Sequence, residues 1–210
     1  MDCGSNIGHW SIFASTVIDV PDRIIAIEPS QRTFRRLEHN ATLNDKAFRC
    51  VRAAVFSESD LELTLKTHVN RHAGDSVKDE RGMGKRKSGY SQESIRSVTI
   101  DTLLEGSSGA AVIKLDIEGA EIEALKGASQ TIKNGSLFIY EDHWQNPDCK
   151  VTKFIIGSLG LDAYLVDDGG FSQIRSAEEL RVLRKSRPHL VDFVALGRNS
   201  PFIDVIHMKS

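Results

Sequence analysis

Cysteine, proline and aromatic residues are scarce in this chain, and it carries neither a long apolar run nor an excess of one charge. Its three cysteines, Cys3, Cys50 and Cys149, are an odd number at wide intervals with no C-x-x-C pair and no Cys/His cluster. That argues against a disulfide framework and against a structural zinc site. Five prolines in 210 residues, with 40% hydrophobic and 27% charged residues, describe an ordinary folded domain and not a disordered or fibrous chain. No apolar stretch approaches the roughly 18 to 20 residues that cross a bilayer. The opening Met1-Asp2-Cys3-Gly4 also lacks the basic-then-apolar pattern of a secretion leader, so the expected compartment is the cytoplasm. With 27 Lys and Arg against 29 Asp and Glu the formal charge is −2, which leaves no cationic surplus for non-specific nucleic-acid binding.

What is present reads as an α/β alternation over one domain spanning 1–210. Ile24-Ile25-Ala26-Ile27 is apolar on both faces, as a buried parallel strand requires, and ends at Glu28-Pro29. Ser30 then offers a helix N-cap, with Phe34, Leu37 and Ala41 at helical spacing behind it. Phe48 to Phe56 reads as a third strand, and the alternating Leu61, Leu63 and Leu65 as its hairpin partner. From Thr67 to Ser97 glycine, serine and charge dominate, with Lys85-Arg86-Lys87 inside it; this predicts a long flexible insertion, either a solvated loop or a lid or anion-binding flap. Further strands are expected at 98–104, 111–116, 137–140, 163–166 and 191–196. Helices are expected from Ala120, with Ile122, Leu125, Ala128 and Ile132 on one face, over 151–159, and from Ala177.

Three features carry chemistry. Asp2-x-Gly4-x-Asn6-x-Gly8 stands where a first strand turns into a helix near His9. Glycines there let a ligand approach the backbone, and a helix start supplies free N–H groups. The spacing is not the G-x-G-x-x-G of a dinucleotide site. Glu28, 26 positions after Asp2 and at the carboxyl end of the second strand, is placed to accept hydrogen bonds from both ribose hydroxyls of a nucleoside cofactor. In Lys114-Leu115-Asp116-Ile117-Glu118-Gly119-Ala120-Glu121, strand alternation puts Lys114, Asp116 and Glu118 on one side, at the edge where open α/β sheets bind ligands. Such carboxylates suit a sulfonium cofactor, a substrate hydroxyl or a metal; Glu121 equally suits a helix start, whose dipole favours an acid.

Taken together, D-C-G-S-N-I-G-H-W, A-I-E-P-S with a later L-x-x-N, V-T-I-D-T-L-L and V-I-K-L-D-I-E-G-A-E-I-E-A-L-K-G-A resemble the FkbM-type methyltransferases over about Asp2 to His143. The resemblance implies a Rossmann-like, doubly wound, mostly parallel seven-stranded sheet with helices on both faces. It also implies S-adenosyl-L-methionine as cofactor and O-methylation of a sugar, polyketide or similar small molecule. Asp2, Gly4, Ser5, Asn6 and Gly8 would line the methionine end of the cofactor, Glu28 would hold its ribose, Ala53 and Ala54 would lie near the adenine, and Asp116 would face the transfer centre. The family has an apolar strand before the aspartate, where this chain has only Met1, so the first strand is expected to be curtailed.

Methyl transfer asks the protein to position an acceptor oxygen, exclude water and receive a proton. Asp116 and His143 are the candidate catalytic pair, His143 because an imidazole titrates near pH 6.5. A metal held by Asp116, Glu118 and Glu141 is a lesser option, since no histidine is grouped with them; none is expected. Two alternatives stay open. One is an RNA ribose 2′-O-methyltransferase, prompted by Lys114 beside Asp116 and by the basic 85–87 stretch. The other is an inactive cofactor-binding domain, prompted by the short first strand.

Overall fold

A computed structural model describes residues 1–18, 20–45, 47–68, 76–78, 90–142, 148–167, 170–186 and 192–207. They form two compact units, one of residues 1–105 with 116–128 and one of residues 106–115 with 129–210.

The first unit opens with two consecutive β-α-β turns. Strand β1 (Asp2–Cys3) runs parallel to β2 (Ile25–Ile27), with Asp2 opposite Ala26, and β2 runs parallel to β3 (Arg49–Val51), with Ala26 opposite Cys50. Helix α1 (His9–Ser15) links the first pair and α2 (Gln31–Leu43) the second. The apolar run at β2 is buried at every residue, as a strand covered on both faces must be. Helix α2 buries Phe34, Leu37 and Ala41 at helical spacing, and these pack with Ile24, Ala26 and Phe48. Full burial of Leu37 alone is worth about 2 kcal/mol. The first strand is two residues long, in keeping with the curtailed strand expected.

Beyond β3 the structure departs from the sequence reading. The stretch 48–56 is not one strand: it breaks at Arg52-Ala53, and β4 (Ala54–Val55) joins a second sheet. That sheet has the order β4-β7-β5-β6, with β5 at Glu62–His68, β6 at Ser76–Lys78 and β7 at Tyr90–Val98. Leu63 and Leu65 therefore pair across to β7, not to the third strand, and pack with Ala54 and Ile95. Within the span read as a flexible insertion, β6 and most of β7 are regular strand. Residues 69–75 and 79–89, including Lys85, Arg86 and Lys87, lie outside the described residues. The strand expected at 98–104 ends at Val98, where Thr99 caps the short helix α3 (Ile100–Leu103) by accepting the Thr102 N–H at 3.0 Å.

The helix expected from Ala120 is interrupted. Helix α4 (Glu121–Lys126) stops at Gly127, where a Cβ would lie 2.4 Å from the Phe56 carbonyl oxygen. The chain passes too close to that backbone for any other residue.

In the second unit β8 (Val112–Leu115) runs parallel to β9 (Leu137–Glu141). Helix α5 (Ser129–Lys133) precedes β9, and α6 (Lys150–Gly157) follows it. Strands β10 (Asp162–Asp167), β11 (Gly170–Ile174) and β12 (Asp192–Leu196) complete the sheet in the order β8-β9-β12-β10-β11, the last three pairings antiparallel. Helix α7 (Ala177–Ser186) precedes β12, and α8 (Ile203–His207), absent from the sequence reading, covers Leu137, Tyr164 and Leu196 through Ile206. A three-stranded parallel sheet and a four-stranded sheet in one unit, with a five-stranded mixed sheet in the other, make a mixed α/β protein compatible with a Rossmann-like fold; the exact count of seven strands is not confirmed. Among the described residues no helix is long and apolar enough to cross a membrane.

Candidate active site

The turn after β1 is built by backbone conformations that most residues avoid. Gly4, Asn6 and Gly8 have φ of 77°, 50° and 94°, all left-handed. The Gly4 and Ser5 N–H groups both donate to the Ile27 carbonyl at 2.9 Å, and the Ser5 hydroxyl donates to the same oxygen at 3.0 Å. The end of β2 thereby fixes the turn. Asp2 is buried and its Oδ2 accepts the Ser11 hydroxyl at 2.8 Å, which ties β1 to α1.

The glycines also serve the packing of the chain. A Cβ on Gly4 would lie 1.9 Å from the backbone oxygen of Asp116, and one on Gly8 would lie 2.7 Å from Leu37 Cδ1 and 3.2 Å from Phe48 Cζ. Both clear the way for other parts of the chain. Gly4 lets the Asp116 segment pass, and Gly8 lets α2 close on the turn. Asn40, the asparagine of the L-x-x-N motif, holds that contact by donating from Nδ2 to the Ile7 carbonyl at 2.7 Å.

Glu28 follows β2 and is buried, 7% exposed. Its Oε2 accepts the N–H of Asn6 at 3.1 Å and its Oε1 the N–H of Ser30 at 2.9 Å. Its own N–H donates to Val51 at the end of β3. Two features 26 positions apart in sequence thus meet through one side chain, at the carboxyl ends of β1, β2 and β3.

Asp116 joins them. Its N–H donates to the Cys3 carbonyl at 3.1 Å and the residue is half-buried. The loop behind it is held by Glu121, whose Oε1 accepts the N–H groups of Gly119 at 3.1 Å and Ile117 at 3.4 Å. Glu118 and Gly119 adopt left-handed φ of 52° and 98° to make that loop. Glu121 is itself buried, and desolvation pushes its carboxyl above the usual range, with the Asp116 charge adding to the shift. Glu118, by contrast, is exposed. Ala53 and Ala54 are both buried just beyond β3, but Ala54 belongs to β4 and pairs with Ser97.

His143 lies outside the described residues, as do Lys85, Arg86 and Lys87. Lys114 and Glu141 sit on β8 and β9 of the second unit. Among the described residues no group of three or more His, Cys, Asp or Glu is set to hold a metal ion. The sequence reading also missed Glu93 and Arg52. The Glu93 carboxylate on β7 accepts the Gln31 N–H at 3.1 Å, at the first turn of α2, and pairs with Arg52 at 3.0 Å. No local signal marks Glu93, because 62 residues separate it from Gln31 and the link exists only once β7 has paired with β5.

Comparison with known proteins supplies the family. A profile described as the methyltransferase FkbM domain matches residues 2–171. The chain belongs to the FkbM methyltransferase family. It is similar to hexuronic acid methyltransferase AglP of Haloferax volcanii, 28% identical over 156 residues that make up 73% of this chain and 59% of that protein. The FkbM chain therefore spans less than two thirds of that relative's length. No solved structure matches it. In FkbM terms, the matched region takes in the glycine turn, Glu28, the Asp116 loop and the second sheet, and stops at Phe171, near the start of β11.

Proposed function

We propose that this methyltransferase uses S-adenosyl-L-methionine to methylate a hydroxyl of a sugar or similar small molecule. The observation that carries the reading is the 3.1 Å bond from the Asn6 N–H to Glu28, which places the glycine turn and the acid at one edge. The residues there suit the cofactor. A carboxylate has about four acceptor positions, which suits Glu28 to ribose hydroxyls. Asp2 and Asp116 contribute negative charge that favours a cation. Ala53 and Ala54 would offer apolar surface to an adenine.

When bound, S-adenosyl-L-methionine supplies an electrophilic methyl group on a positively charged sulfur. The chain's part is to orient the acceptor, exclude water and remove a proton. Asp116 would orient the acceptor hydroxyl, and His143 would take its proton as general base. A sugar acceptor is supported by the name of the Haloferax relative, whose substrate is a hexuronic acid.

Isothermal titration with S-adenosyl-L-methionine and S-adenosyl-L-homocysteine, followed by turnover on a panel of hydroxylated sugars, tests the reading. Binding of both nucleosides is expected, and methyl transfer to at least one sugar. His143→Ala should lower turnover about 100-fold without changing nucleoside affinity. Absence of nucleoside binding by the full chain overturns the reading; unchanged turnover in His143→Ala removes that residue from the mechanism.

A further inference from the structure

Next to the Glu28 turn, the start of α2 and the strands β5 and β7 border an open cleft of about 410 Å³, lined by the exposed Arg32, Arg35 and Ser91 and by Glu93 and Thr67, together with Ser30 and its neighbour in the helix. Its size falls in the range of small-molecule sites, roughly 300–1,000 Å³. Ser30 belongs to both places: it lines the cavity, and its N–H is the one held by Glu28.

The lining is specific in its chemistry. Arg32 and Arg35 stand three residues apart, on one face of α2. Glu93 faces them from β7, its charge offset by Arg52 at 3.0 Å. The hydroxyls of Thr67 and Ser91 are hydrogen-bonded to each other. The helix start does not make this a phosphate cradle, because the Gln31 N–H that would receive a phosphate oxygen is already taken by Glu93. What the cavity presents is a pair of planar guanidinium forks, which match a carboxylate, beside a carboxylate and hydroxyls, which match the hydroxyls of a sugar ring.

We propose that this cavity receives an anionic sugar unit of the acceptor, a hexuronate, with its carboxylate between Arg32 and Arg35 and its ring hydroxyls on Glu93, Thr67 and Ser91. The identity of that unit as acceptor rests on the methyl-transfer reading; its binding does not. A guanidinium–carboxylate contact of this kind makes the acid, not the ring alone, the feature that is read.

The test is titration of the full chain with sodium glucuronate, with glucose and with inorganic phosphate at constant ionic strength, each with and without S-adenosyl-L-homocysteine. Glucuronate is expected to bind at least about ten-fold more tightly than glucose. Arg35→Gln and Arg32→Gln should each weaken glucuronate by about the same factor and leave glucose and S-adenosyl-L-homocysteine unchanged. Arg36→Gln removes a charge from the same helix outside the cavity lining and should leave glucuronate binding as it was. The proposal is overturned if glucuronate binds no better than glucose or not at all, if phosphate binds more tightly than glucuronate, or if Arg36→Gln matches the other two. It is equally overturned if the Arg32 and Arg35 variants weaken the nucleoside instead, which would assign the cavity to the cofactor. Failure of the wild-type chain to bind the nucleoside sinks the methyl-transfer reading alone and leaves the glucuronate comparison readable.

Discussion

Replacing Glu28 by glutamine separates the structural use of this side chain from its proposed use in binding. The carboxylate accepts two backbone N–H groups, from Asn6 at 3.1 Å and Ser30 at 2.9 Å, in a buried position. An amide keeps one oxygen and turns an N–H₂ group toward the other backbone donor, so one bond is lost and a donor is set against a donor. Losing one hydrogen bond to a charged group costs about 1.5–3 kcal/mol. The stability of the chain in urea should fall by about that amount. If the same carboxylate also holds ribose hydroxyls, affinity for S-adenosyl-L-homocysteine should fall as well, by about 10- to 100-fold for a second bond of that strength. Denaturation and calorimetric titration on one preparation read both effects, with the titration run at a temperature where the variant is fully folded. A variant that loses stability and binds the nucleoside as the wild type does would show that Glu28 only fastens the turn, and the cofactor assignment built on it would fail.

Other perturbations probe the same edge. Gly4→Ala should prevent folding or cost about 4 kcal/mol or more, because its Cβ would sit 1.9 Å from the Asp116 backbone oxygen at a φ of 77°; a folded variant of ordinary stability refutes the close approach. Leu37→Ala should cost about 2–5 kcal/mol in urea denaturation, with loosening of the turn at Gly8, which packs on that side chain. For Glu121, burial raises the folded-state value above the ordinary 4.5, so the folded state binds the proton more tightly than the unfolded one. Its stabilising contribution is whole below about pH 4.5 and is lost as pH rises through the raised value. Glu121→Gln keeps the acceptor for Gly119 and Ile117, so relative to the wild type it should gain stability across that window. A relative loss there would contradict the desolvation argument.

The strands and helices that one apolar pattern defines were legible before the structure. Ile24 to Ile27 is buried at each position, and Phe34, Leu37 and Ala41 form the inner face of α2 as their spacing required. Where the pattern failed, a long-range partner decided. Leu63 and Leu65 alternate correctly for a half-buried strand, yet alternation does not name the neighbour, and β7 supplied it from within the span read as an insertion. Ile122, Leu125, Ala128 and Ile132 keep helical spacing through residue 127, but Gly127 must clear the Phe56 carbonyl, a contact no local window contains. Helix α8 carries too few residues for periodicity to register.

The site shows the same division in a sharper form. Residue types at Asp2, Gly4, Gly8, Glu28 and Asp116 read as a ligand edge, and the structure brings these positions together. It also changes what the glycines mean. A glycine in such a turn is ordinarily read as room for a ligand, whereas Gly4 and Gly8 make room for Asp116 and Leu37. Their requirement is therefore set by chain packing, which any domain with this turn would share whether or not it bound a nucleoside. The weight of a functional reading consequently shifts to Glu28 and Asp116. Replacing an acid there is the better test of function, since a failed glycine variant reports only on the passage of one segment past another.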